Sequence, residues 1–297
     1  MKWRDPEEEY SARPDLKRED VQKILDWISK QPHLPKISEM EAILFLHSCY
    51  YSLEQTKKTI DTYYTIRTHS PEFFAKRDTN GNDILDSRET LLQISLPGLT
   101  AEGYKLIFVN FMDLDSSKFN FTAACKQFSF LSDLHLWSEG TAEGHILIVN
   151  MQGVGFGHLA RVGLLQLKKY ITYLQDALPV RIKGLYFMNA NLVTDKLVTM
   201  MKPFMNKHLV DALQTFTTME AIFRIIPQEM FPKEFGGQCK SMTELQQDMK
   251  DILIKNRDFL LKEEGTRFVQ ENLRPGKPKT ANDLFGIEGN FKKLDID

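Results

Sequence analysis

The chain has 297 residues, 42% hydrophobic and 26% charged, a globular balance sufficient for one large domain or two modest ones. Its formal charge of −2 gives no whole-chain attraction to nucleic acid, which is therefore not an expected partner. Cys49, Cys125 and Cys239 lie far apart with no CxxC pair, which argues against a disulfide framework or structural zinc site and fits a reducing cytosol.

The charged start, Lys2 to Glu9, lacks the apolar run of a signal peptide. No apolar stretch reaches the roughly 18 residues of a bilayer span, and the expected location is cytoplasmic. Val21, Ile24, Leu25 and Ile28 recur at helical spacing before Pro32 and Pro35. Ile43 to Leu46 form a second apolar cluster, and Leu53 to Ile66 predict a third helix closed near Ser70 and Pro71. Residues 1–88 are accordingly assigned to an N-terminal helical subdomain.

From residue 89 the period changes. Thr90–Ile94, Leu106–Val109, Ile146–Val149 and Leu185–Met188 are short apolar runs suited to strands covered on both faces, and Leu213–Thr217 adds a fifth. Helical stretches at 121–137 and 158–178 separate them, the second with Leu164, Leu167, Ile171, Leu174 and Leu178 on one face. Strand–helix–strand alternation predicts an α/β domain over 89–240 with a mostly parallel five-stranded sheet. Residues 241–297 form the last unit. It holds an amphipathic helix over 243–261 and a Gly/Pro/Lys-rich tail at 273–283, which reads as either surface-wrapping or disordered.

Chemical motifs are weak. Gly153, Gly155 and Gly157 lie between a strand and a helix, as a dinucleotide loop would, but His158 occupies the place of the third glycine. Asp78 to Glu89 superficially resembles a calcium loop, yet Asp83 stands where the turn glycine is required; a polar turn is expected there, followed by a strand. The seven histidines show no metal-ligand spacing, and there is no G-x-S-x-G elbow. No catalytic residue, metal or cofactor is predicted, and the chain is not expected to be an enzyme.

The segment 189–213 is more informative. Leu197, Met201, Phe204, Met205 and Leu209 share a face, Pro203 divides the segment into two helices, and Met188, Met200, Met201 and Met205 add flexible side chains suited to repacking. By periodicity alone it is an ordinary core-facing helix.

Its flanks carry a resemblance. Leu178-Pro179-Val180-Arg181-Ile182-Lys183-Gly184-Leu185 runs to Asn189-Ala190. Lys202-Pro203-Phe204 follows, then Phe231-Pro232-Lys233-Glu234-Phe235-Gly236-Gly237. In order with Ile43–Leu46 and Tyr63–Arg67, these strings resemble the CRAL-TRIO lipid-binding family, which includes tocopherol transfer and retinaldehyde-binding proteins. The resemblance covers roughly residues 36 to 240. Asn150 and His47 depart from the family's aspartate and arginine.

The resemblance implies an N-terminal helical bundle, a five-stranded sheet, and a lipid pocket closed by a gate helix. Motif positions place Ala124, Gln127, Phe128 and Leu131 on one wall and Val149, Val154 and Phe156 on a second. Tyr170, Tyr173, Leu174, Ile182, Leu185 and Phe187 continue the lining, with Leu197, Met201, Phe204 and Met205 as the roof. Arg181 and Lys183 match a phosphoinositide-binding cleft. His208 joins them as a candidate contact, while Val210 and Ala212 dilute its charge. The implied function is binding and transfer of a tocopherol-, retinoid- or isoprenoid-like ligand, with transient contact to a membrane surface. The alternative is a non-catalytic adaptor whose pocket is plugged by Phe128, Phe156, Tyr170 and Tyr173.

Overall fold

A computed structural model describes residues 3–286. The N-terminal region is helical: α1 (Pro6–Ala12), α2 (Arg18–Ser29), α3 (Glu39–Ser48), α4 (Leu53–His69) and the short α5 (Pro71–Phe74). Their starts follow local chemistry. Asp5 and Ser52 accept backbone N–H groups at the first turns of α1 and α4, and Ser38 with Glu41 forms a reciprocal capping box on α3. Ile43, Phe45, Leu46, Ile60, Tyr64 and Ile66 are buried in one core between these helices.

The polar turn expected at 78–83 is in part the start of a helix, α6 (Asn82–Thr90). Asp78 accepts the Asn80 N–H at 2.9 Å and pairs with Arg257 at 2.7 Å, while Ile84 is buried beside Phe130. One buried apolar side chain, beside the buried Ser87 and Thr90, is too faint a periodic signal to reveal that helix in the sequence.

The sheet contains β1 (Leu91–Ser95), β2 (Tyr104–Phe111), β3 (Gly144–Asn150), β4 (Ile182–Met188) and β5 (Leu213–Phe216), in that spatial order. β1 is antiparallel to β2 and the other pairs are parallel. Crossovers carry α7 (Phe121–Glu139) between β2 and β3, and α8 (Phe156–Leu159) with α9 (Leu164–Asp176) between β3 and β4. The single helix predicted over 158–178 is thus two, separated by a turn that ends at Gly163, the N-cap of α9.

Between β4 and β5 come α10 (Leu192–Met201), a 3-10 turn at Lys202–Phe204, and α11 (Lys207–Ala212). The division at Pro203 is as predicted, because proline lacks the N–H the next helical turn needs. α12 (Met219–Phe223) precedes α13 (Met242–Lys255), α14 (Arg257–Glu263) and α15 (Ala281–Phe285). The helix predicted over 243–261 breaks at Asn256, whose side chain donates back to the Ile252 carbonyl at 2.7 Å.

The two faces of the sheet are covered differently. Leu106, Phe108, Ile146, Ile148, Tyr186 and Met188 form one core with Leu245 and Met249 of α13. The opposite face looks toward α7, α9 and α10. The tail wraps back onto the N-terminal helices. Arg274 pairs with Asp61 at 2.6 Å, Arg267 pairs with the buried Glu41, and Phe285 is buried with α4 and α9 residues in the N-terminal core.

Candidate ligand-binding site

Alternation along each strand sends every second residue to one face. Leu91 and Gln93 of β1, Val109 and Phe111 of β2, Leu147 and Val149 of β3, and Leu185 and Phe187 of β4 line one wall of an internal cavity of about 190 Å³. Ala124, Cys125 and Phe128 of α7 and Leu167, Tyr170, Ile171 and Leu174 of α9 form the opposite side. Val193, Leu197 and Met201 of α10 roof it. A smaller chamber of about 60 Å³ lies alongside, sharing Gln93, Phe128, Leu147, Leu174 and Leu185 with the first and adding Ser95, Ser132, His135 and His145. A larger surface hollow of about 730 Å³ includes Asp83, Asp86, Glu89 and Asp113 in its lining, an acidic character unsuited to a lipophile.

The predicted residues divide. Ala124, Phe128, Val149, Val154, Tyr170, Leu174, Leu185, Phe187, Leu197 and Met201 all border the main chamber, and Leu131 and Ile182 border the smaller one. Five lie outside both. Gln127 is fully buried behind the wall, donating at 3.0 Å to Gln93 Oε1. Phe156 is 59% exposed, because α8 turns His158 inward against Phe111 and Phe119 and leaves the residue two places earlier on the opposite side. Tyr173 packs on Phe74, ring centroids 4.8 Å apart, in the N-terminal core. Phe204 and Met205 flank the roof without entering the lining. Gln175 of α9 holds that turn, donating to the Phe204 carbonyl at 3.1 Å and accepting the Asn206 N–H at 2.8 Å.

Sequence reading missed Leu91, Gln93, Val109 and Leu147, although the period-2 pattern of their strands carries the signal. It also missed His158. That imidazole accepts the Gly155 N–H through Nδ1 at 3.1 Å, so the glycine-rich turn closes on a side chain. Gly153 has φ +75°, and a Cβ there would meet the Leu114 side chain at 2.6 Å. These glycines make a tight turn packed against Leu114.

α7, which forms part of the main chamber's wall, is tied to the N-terminal region by buried charge. Asp133 of α7 binds Arg67 at 3.0 Å and Arg77 at 2.7 Å, all deeply buried. Burial opposes ionisation of Asp133, but the two guanidiniums hold its carboxyl below the usual range. The candidate phosphoinositide cluster is less free than its sequence implied. Arg181 donates to the His47 carbonyl at 2.9 Å, pairs with Glu143 at 3.3 Å and stacks over Tyr50. Lys183 donates to the Tyr50 hydroxyl at 3.0 Å, and His208 Nε2 lies 3.2 Å from the Ile182 carbonyl. Among the described residues no group of three or more His, Cys, Asp or Glu side chains is placed to hold a metal ion.

Fold and cavity together define an α/β domain with an apolar internal chamber, braced by a helical N-terminal region. Residues 92–237 match the CRAL/TRIO domain and residues 13–84 match the Pinta-like, UBA domain. Residues 92–237 are thus a domain of the CRAL-TRIO lipid-binding family. It is similar to a mouse protein (Mus musculus) named alpha-tocopherol transfer protein-like, with 23% identity over 90% of this chain and 76% of the relative. The human (Homo sapiens) protein of that name is 22% identical over 86% of this chain and 75% of its own length. Mouse clavesin-1 is 23% identical over 77% of this chain and 66% of its own length.

Proposed function

We propose that this chain encloses one small lipophilic molecule, tocopherol-, retinoid- or isoprenoid-like, in the chamber between the sheet and α7, α9 and α10, and carries it between membranes in the cytoplasm. The observation that carries this reading is the chamber itself: an interior space of about 190 Å³ with an overwhelmingly apolar lining. Burying roughly 300 Å² of ligand surface at about 25 cal/mol per Å² would contribute about 7 kcal/mol before ordering costs. Such a ligand leaves water-facing protein slowly, so release is assigned to displacement of the α10–α11 roof at a membrane surface.

Three exposed apolar side chains support that exit. Leu114 follows β2, Phe156 follows β3 and Leu192 follows β4, all beyond the C-terminal ends of parallel strands, and they are 51%, 59% and 74% exposed. The first two residues of α10, Leu192 and Val193, thus face membrane and chamber respectively. Phosphoinositide recognition through Arg181, Lys183 and His208 is the finer part of the proposal. Its support is their adjacency at the start of β4 and on α11, and it requires Arg181 to exchange Glu143 for phosphate.

The adaptor reading required a plugged pocket. Phe156 and Tyr173, two of its four plugs, lie outside the chamber, which counts in favour of the carrier.

Native mass spectrometry of the purified chain, followed by organic extraction, tests the proposal: a bound neutral lipophile is the expected result. No bound lipophile and no uptake from a broad lipid panel would overturn it. Met201→Asp, which puts a carboxylate in the roof, is expected to weaken retention at least tenfold.

A further inference from the structure

The smaller chamber differs from the main one in a way the apolar reading leaves unused. β3 directs His145, Leu147 and Val149 to the same face, so His145 begins a row of side chains that continues into the main chamber. From His145 to Met151 is six strand steps, about 20 Å at roughly 3.3 Å per residue. An elongated ligand lying along β3 would end at His145.

His145 is only 7% exposed, and its protonation pattern follows from its neighbours. Glu139 Oε1 lies 3.2 Å from His135 Nδ1. The angle is poor for a hydrogen bond, but a carboxylate at that distance still favours a proton over a lone pair facing it. Burial opposes the charge on Glu139, while His135 and Lys105 keep its carboxyl ionised, with a pKa down at about 2. In the neutral ring with its proton on Nδ1, His135 presents a lone pair at Nε2. His145 Nε2 lies 3.4 Å from that atom and is therefore the donor. Neutral imidazole has one N–H, so His145 Nδ1 is a bare acceptor. It is buried and has no hydrogen-bond partner among the described residues. Burial pushes the His145 pKa down to about 3, which excludes the doubly protonated form near neutrality.

The polar atoms of the main chamber have the opposite character. His158 accepts the Gly155 N–H at Nδ1, which puts its own proton on Nε2, and that atom is buried without a partner. The Tyr170 hydroxyl is likewise unpartnered. Both can donate to any ligand oxygen, ether or alcohol alike. His145 Nδ1 can only accept, so among an alcohol, its ether and its ionised acid only the alcohol, which brings its own O–H, satisfies it. Ser95, whose hydroxyl is also buried and unpartnered, lines the same chamber and can donate to the oxygen of that O–H.

Resting on the carrier reading above, we propose that the small chamber is the polar terminus of the ligand site. There His145 Nδ1 accepts a hydrogen bond from a terminal hydroxyl, so the cargo class is a lipid alcohol in preference to its ether, ester or ionised acid. The ionised acid brings no proton and finds nearby Lys105 already paired with Glu139.

The test uses hexadecanol, hexadecyl methyl ether and palmitate as probes, titrated into delipidated full-length protein and into His145→Phe. Wild type should bind the alcohol about tenfold more tightly than the ether, the scale of one buried hydrogen bond. The variant should bind both alike, at the wild-type ether affinity. Equal binding of alcohol and ether by wild type overturns the polar terminus while leaving the carrier intact. A preference that survives in a folded His145→Phe protein overturns the role of His145. Failure of wild type to bind any probe or extracted lipid overturns the carrier reading itself. Long-range proton–nitrogen NMR of the wild-type protein needs no variant. The pyridine-type nitrogen of His145 should be Nδ1 and should shift on adding hexadecanol, whereas a proton on Nδ1 refutes the assignment.

Discussion

The two faces of one sheet make opposite use of similar residues. On β3, Ile148 is fully buried among Phe108, Leu106, Tyr186 and α13 side chains, while its neighbour Leu147 looks across open space toward α7 and α9. Composition does not separate them, because both faces are aliphatic and aromatic. The difference lies in what covers each face. α13 lies directly on the sheet, whereas α7 and α9 are fastened on their outer sides to the N-terminal helices. Asp133 is tied to Arg67 and Arg77, Tyr173 packs on Phe74 and Tyr63, and Lys169 pairs with Glu72 at 2.8 Å. α7 still meets the sheet at β1, where Gln93 donates to the Ala124 carbonyl at 3.1 Å, but anchoring from behind opposes further collapse onto the strands. The N-terminal region thus serves as the brace that keeps the chamber open.

The largest effect should come from cutting that brace. Asp133→Ala leaves two buried guanidiniums without their carboxylate and should cost about 3–5 kcal/mol in urea unfolding. A loss below about 1 kcal/mol would detach the brace from the fold's stability.

Ile148→Ala on the packed face should cost about 2–5 kcal/mol, as a new cavity opens in a close-packed core. Leu147→Ala borders existing space, so it should cost roughly half as much in delipidated protein and shift ligand affinity instead. Equal costs and unchanged affinity would erase the distinction between the faces.

Acid should destabilise the chain before its carboxylates titrate. Burial, reinforced by Arg181 for His47 and by His135 for His145, holds both imidazoles at about 3, below the ordinary value near 6.5. Below pH 6.5 the unfolded chain binds protons at these sites that the folded chain refuses, so stability falls as pH falls toward 3. Each contributes a slope of about 1 kcal/mol per pH unit there. A stability profile flat between pH 6.5 and 5 would contradict the burial of this pair, and His145→Phe should flatten it in part.

The smallest effect on stability belongs to Phe156→Ser, within about 0.5 kcal/mol because the ring is already in water. Its readout is transfer: movement of a fluorescent lipophile to phosphatidylcholine vesicles should slow several-fold, and an unchanged rate would remove Phe156 from the membrane-facing edge.

Much of this was legible in the chain. The apolar runs gave all five strands, Pro203 gave the divided roof, and the strings around Pro179, Pro203 and Pro232 gave the family, because strands, proline breaks and tight turns are written in local periodicity. Twelve of the seventeen anticipated lining positions border a chamber, since period 2 and period 3.6 fix which residues share a face. Phe156, Tyr173 and Gln127 went elsewhere because facing depends on how a helix is rotated against partners distant in sequence. The break near residue 160 and the start of α6 were hidden for the same reason.

What only the tertiary structure decided is that there is space at all. A cavity is the absence of contact between segments, set here by residues 67 and 77 gripping residue 133, and no local pattern encodes a gap. The tautomer proposed for His145 likewise rests on tertiary placement. It passes from Glu139 through His135 to a ring on the neighbouring strand, and the lone pair that results depends on the distances the fold imposes.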